Sequence, residues 1–130
     1  MTQTLSGKDA LTLWHDVLAE GLRLGEPELT MRQLAILLHV YVAPPPHTVR
    51  GLAATFGLAK PAVTRALDRL CGLELMRRKT DDEDKRSILV QRTVKGAVYM
   101  SEFSERIEAA GRVEKDPAQK DPTRKDVDAE

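Results

Sequence analysis

Seven consecutive polar residues, Thr80-Asp81-Asp82-Glu83-Asp84-Lys85-Arg86, separate two short runs, Leu75–Lys79 and Ser87–Gln91, that read as antiparallel strands. A stretch this polar stays out of a core, so it must reverse the chain at a hairpin tip. Four carboxylates followed by two cations are a costly way to make a plain reversal. They make sense where the tip reaches into a nucleic-acid groove. Arg86 suits the negative potential of a minor groove, and Asp84 is placed to hydrogen-bond and aim it. Asp81 to Glu83 then have to point away from phosphates or pair with Lys and Arg. The strand register stays open, because Ile88-Leu89-Val90 is a continuous apolar run rather than an alternation.

The segment before this hairpin reads as a pair of helices joined by a tight turn. Thr48 caps a short helix whose inner face is Val49, Leu52, Ala53 and Phe56. Gly57 supplies the left-handed conformation that the turn requires. Pro61 falls in the first turn of the next helix, where its missing N–H has no partner to lose. Val63, Leu67 and Leu70 face inward there, leaving Lys60, Thr64, Arg65, Asp68 and Arg69 on the outer face. Helix, glycine turn and basic second helix make a helix-turn-helix, whose second helix shows its N-terminal half to the major groove. Arg65 can fork onto guanine, Thr64 can hydrogen-bond or touch a thymine methyl, and Lys60 can neutralise a phosphate.

Three further helices frame this pair. Residues 6–24 carry Leu11, Trp14, Leu18 and Leu22 at helical spacing, widened by Leu13 and Val17, and end at Gly25-Glu26-Pro27. Thr30 and Gln33 form a capping box for a second helix with Leu34, Leu37, Leu38 and Tyr41 inward, stopped by Pro44-Pro45-Pro46. Thr93 caps a last helix over 94–110 bearing Val94, Ala97, Val98, Met100, Phe103, Ile107 and Ala110. The expected fold class is mainly α with a small β-hairpin (α+β), a winged helix-turn-helix with helices at both ends forming a dimerisation region. The domain boundaries follow as 1–28, 29–93, 94–112 and a polar, disordered tail over 113–130. No internal repeat is present.

Net charge is zero, but its distribution is uneven: −2 over residues 1–49, +5 over 50–95 and −3 over 96–130. A basic block between acidic ones suits a DNA face on a soluble body. Apolar residues make up 42% and aromatics only 4%, so the core must be aliphatic. No apolar run approaches the roughly 18 residues of a membrane span, and no secretion signal is evident. The lone Cys71 rules out an internal disulfide and fits a reducing compartment, with the cytoplasm as the default location. His15, His39 and His47 lack a second His or Cys at helical ligand spacing, so no metal site is expected. No glycine-rich phosphate loop, nucleophile elbow or paired carboxylates support an enzyme or a cofactor.

These residues resemble the MarR-type winged-helix transcriptional regulators from Leu29 to Gly96, roughly half the chain. The resemblance rests on Leu29-Thr30 with Gln33, Thr48 with Leu52-Ala53, and Lys60 with Val63-Thr64-Arg65-Ala66-Leu67-Asp68-Arg69-Leu70. It continues through Asp84-Lys85-Arg86, Val90, Thr93 and Gly96, with the wing the most specific piece. It implies a homodimer, made by the first and last helices (residues 6–24 and 94–110), on pseudo-palindromic promoter DNA. The recognition helix would lie in the major groove and Arg86 in the minor groove. The implied DNA-binding set is Thr48, Lys60, Pro61, Thr64, Arg65, Asp68, Arg69, Lys79, Asp84, Lys85 and Arg86. Family members are often released by small phenolic or other ligands or by cysteine oxidation, which makes a small-molecule effector a candidate partner.

Three departures from the family pattern stand out. Glu74 occupies a usual glycine position, with Gly72 the candidate to take over that turn. Arg92 replaces a usual leucine, so either it reaches a carboxylate or the strand ends early. The polar sequence after about Gly111 cuts the usual closing helix pair to one helix. The leading reading is a sequence-specific dimeric regulator of double-stranded DNA, a repressor by steric occlusion. The competing reading is a winged-helix protein-interaction module that binds no DNA.

Overall fold

A computed structural model describes residues 5–113. Their order is α1 (Gly7–Arg23), α2 (Met31–Val42), β1 (His47–Thr48), α3 (Val49–Phe56), α4 (Lys60–Gly72), β2 (Met76–Thr80), β3 (Ile88–Arg92) and α5 (Val94–Val113). The chain divides into two units, residues 27–102 and residues 5–26 together with 103–113. The polar segment 114–130 lies outside the described residues.

In the larger unit, local chemistry sets where each helix begins. Thr30 Oγ1 accepts the Gln33 N–H at 3.1 Å while Gln33 Oε1 accepts the Thr30 N–H at 2.9 Å, so two orphan donors are satisfied at once. Thr48 Oγ1 accepts the Gly51 N–H at 2.9 Å and starts α3. Gly57, at φ 62°, ends it in the left-handed region. Helix α4 has no side-chain cap and relies on Pro61 in its first turn. Thr93 Oγ1 accepts the Gly96 N–H at 2.9 Å where α5 begins.

The core gathers Ile36, Leu37 and Val40 from α2, Leu52 from α3 and Val63, Ala66, Leu67 and Leu70 from α4. Leu75, Met76 and Val90 close it from the sheet side. Each of these side chains larger than alanine contributes roughly 1.5–3 kcal/mol on burial. The inner face of α4 agrees with the sequence reading, but α2 is rotated from it. Ile36 and Val40 are fully buried, whereas Leu34, Leu38 and Tyr41 are only half-buried. Residues 34–38 are all apolar, so spacing alone does not select a face.

The sheet has three strands in the order β1-β3-β2, not two. His47 and Thr48 pair antiparallel with Val90 and Leu89. β2 and β3 pair antiparallel from Met76↔Arg92 to Thr80↔Ile88, one residue later than expected at both strands.

Two of the noted departures resolve in unexpected ways. Glu74 itself takes the left-handed conformation at φ 63°, and Gly72 does not take over the turn. Arg92 neither meets a carboxylate nor ends the strand. Its Nε donates to Val40 O at 2.8 Å and its Nη2 to Ala43 O at 3.0 Å. Both carbonyls lie where α2 ends and lack helical donors, so the guanidinium serves as a C-terminal cap.

In the smaller unit, Ser6 Oγ accepts the Asp9 N–H at 3.1 Å and caps α1. Val17, Phe103 and Ala110 are buried. Arg106 grips Glu26 through two hydrogen bonds, Nη1 to Oε2 at 2.9 Å and Nη2 to Oε1 at 2.7 Å. Leu11, Trp14, Leu18 and Leu22 share one face of α1 and are all exposed, at 44–75%. Helix α5 ends at Val113, three residues past the 94–110 stretch and one past the 94–112 boundary; its first residues, with Val94, Ala97 and Val98 exposed, belong to the larger unit. Among the described residues, no helix is long and apolar enough to cross a membrane.

Candidate nucleic-acid interface

Helix α4 is sharply two-sided. Val63, Ala66, Leu67 and Leu70 are at most 3% exposed, while Lys60, Pro61, Thr64, Arg65, Asp68 and Arg69 all face solvent. The inner residues lock the helix against α2 and α3, so the outer ones are held on a fixed scaffold. Gly57 makes the close α3–α4 turn, and Thr48 spends its hydroxyl oxygen on capping α3. Arg50, in the first turn of α3, is also exposed and adds a cation that the sequence reading passed over.

The hairpin tip is organised by Asp84. Its Oδ1 accepts the Arg86 backbone N–H at 3.1 Å and sits 3.4 Å from Arg86 Nε, and its Oδ2 accepts the Ser87 hydroxyl at 3.4 Å. Asp84 thus restrains Arg86, whose side chain is 91% exposed. Asp81 Oδ1 accepts the Glu83 N–H at 3.0 Å, turning that carboxylate back onto its own loop. Lys79 and Lys85 are exposed.

Two wing-root residues, Arg77 and Arg78, add contacts that no sequence motif marks. Arg78 on β2 pairs with Asp68 on α4, with Nη1 2.8 Å from Oδ1. Arg77 donates from Nε to Gln91 Oε1 at 3.0 Å across the β2–β3 ladder. Cys71 lies beside the Asp68–Arg78 pair. Burial pushes its thiol above the ordinary value, and the nearby Arg78 guanidinium works against that shift.

Residues 29–88 match the model of the MarR family. Those residues form a MarR-family winged helix. The MarR-family fold is seen again in solved structures. A transcriptional regulator from Thermotoga maritima, Tm0710, is 24% identical at a TM-score of 0.69, over 94% of this chain and 83% of that one. RV1404 from Mycobacterium tuberculosis is 23% identical at a TM-score of 0.64, over 97% of this chain and 92% of that one. A mutant MarR from E. coli, complexed with operator DNA, is 23% identical at a TM-score of 0.61, over 82% of this chain and 71% of that one. At such identities these likenesses establish the fold. No match to a curated protein was found.

Two other features of the chain bear on its chemistry. Among the described residues, no group of three or more His, Cys, Asp and Glu is placed to hold a metal ion. A cavity of about 250 Å³ lies along β3, lined by Pro45, Pro46, His47 and residues Leu89 to Arg92.

Proposed function

We propose that the chain is a sequence-specific, double-stranded-DNA-binding transcriptional regulator in the cytoplasm, a dimeric repressor that occludes pseudo-palindromic promoter sites. The carrying observation is the exposed, cation-rich outer face of α4 on a helix whose inner face is fully buried. In this reading Thr64 and Arg65 read base edges in the major groove, and Lys60 and Arg69 meet phosphates. Thr48 and Pro61 border the same approach, and Lys79, Lys85 and the Asp84-aimed Arg86 engage the minor groove beside it. A structural likeness complexed with operator DNA supports the reading.

Dimerisation through residues 6–24 and 94–110 draws support from the exposed Leu11, Trp14, Leu18 and Leu22 stripe on α1. Apolar side chains aligned on one face call for a covering partner. Two half-sites then lie about 10 base pairs apart between centres. A fluorescence-anisotropy titration with duplex DNA at several salt concentrations tests the function. Affinity is expected to fall roughly a thousandfold between about 50 and 200 mM salt, as six or so neutralised phosphates would give. Absence of binding at low salt would favour the alternative, a winged-helix module that meets an acidic protein.

A further inference from the structure

Side chains alternate along β2, so Met76 and Arg78 share one face while Arg77 takes the other. Met76 is 1% exposed and belongs to the core. Arg78 continues that face beyond the core and reaches Asp68 on α4, with Nη1 2.8 Å from Oδ1. Arg77 instead bonds Gln91, the β3 residue directly opposite it in the ladder. The two adjacent arginines therefore hold the wing root in two directions, one along the sheet and one onto α4.

Asp68 stands one helical turn after Arg65 and immediately before Arg69 on the outer face of α4. An unpaired carboxylate there would repel phosphates. An exposed ion pair also contributes little to stability, so the pair is poorly explained as a staple of the fold. Its geometry explains it better, because it ties the wing to the stretch of α4 that carries Arg65.

We propose that Asp68 and Arg78 are positioning residues whose ion pair fixes the wing relative to α4, so that both elements engage adjoining grooves of one site together. Sequence selectivity, rather than gross electrostatic affinity, depends on this pair. The inference rests on the DNA-binding reading above.

The test uses the full chain and measures affinity for a site selected from a random DNA pool against affinity for random duplex, across salt. Asp68→Asn, Arg78→Gln and the double variant are compared with the starting protein. Each single change is expected to lower the selected-to-random affinity ratio about five- to tenfold, with the double variant no worse than either single. Neither single change should lower the salt slope of random binding by the roughly 0.9 that one lost phosphate contact gives. A phosphate-contact role for Arg78 gives another pattern: Arg78→Gln weakens all sequences alike, lowers the salt slope by about 0.9, and adds to the effect of Asp68→Asn. That pattern overturns the proposal, as does a selectivity ratio that Asp68→Asn leaves unchanged or raises. Should Arg78→Gln fail to fold by circular dichroism, the near-isosteric Asp68→Asn decides alone. A starting protein that selects no site removes the DNA-binding reading itself, a separate outcome.

Discussion

Glu74 is held in a conformation that costs an L-residue about 1–2 kcal/mol, and its neighbours explain why it stays there. Its carbonyl accepts the Thr93 hydroxyl at 2.7 Å, and the next carbonyl, Leu75 O, accepts the Tyr41 hydroxyl at 2.8 Å. Thr93 N–H in turn donates to Tyr41 Oη at 3.0 Å. Gly96 makes this junction possible, since a Cβ there would overlap both Tyr41 Oη and the Leu75 carbonyl. Glu74→Gly relieves the strained backbone but loosens the unfolded chain, for a net gain of about 0.5–1 kcal/mol. Urea unfolding checks it, and a loss of stability would show that the Glu74 side chain matters more than its φ. Thr48, Gly57 and Pro61 were legible in the sequence because capping and left-handed turns are chosen by adjacent residues. The Tyr41–Thr93–Gly96 junction was not, because it joins positions more than fifty residues apart.

Among the elements, the buried side of α4 was legible through Val63, Leu67 and Leu70, with Ala66 added by the structure, and α2 was legible only in outline. Four apolar residues on one side of α4 leave a single choice of inner face, whereas the unbroken apolar run 34–38 in α2 leaves several. β1 has no sequence signature because two residues carry no periodicity, and their partners lie on β3. Arg92 was equally opaque, since its partners are main-chain carbonyls that no side-chain pattern reveals. Arg92→Leu restores an apolar side chain but strips the guanidinium from Val40 O and Ala43 O, leaving Ala43 O only His47 Nε2 at 3.1 Å. A loss of about 1–3 kcal/mol is expected from the two charge-assisted hydrogen bonds. Chemical denaturation reads it directly, and an unchanged midpoint would mean that solvent caps α2 equally well. The wing tip was legible in chemistry, Asp84 restraining Arg86, but the Asp68–Arg78 tie behind it required coordinates.

For the whole molecule, zero net charge conceals a basic middle carried on a MarR-family fold. The α1 stripe leads to a prediction about assembly. Trp14→Glu places a charge amid Leu11, Leu18 and Leu22 and should convert a dimer to monomers in sedimentation experiments, with circular dichroism unchanged. A monomeric starting protein, or a variant that remains dimeric, would contradict the proposed interface. The central claim is that the outer face of α4 reads duplex DNA, and site selection from a random DNA pool with the starting protein and Arg65→Ala tests it most directly. Enrichment of a two-fold-symmetric sequence whose preference Arg65→Ala relaxes, by roughly 1–3 kcal/mol at one base pair of each half-site, is the expected result. A pool that stays random with the starting protein, or an identical motif from both proteins, would contradict it.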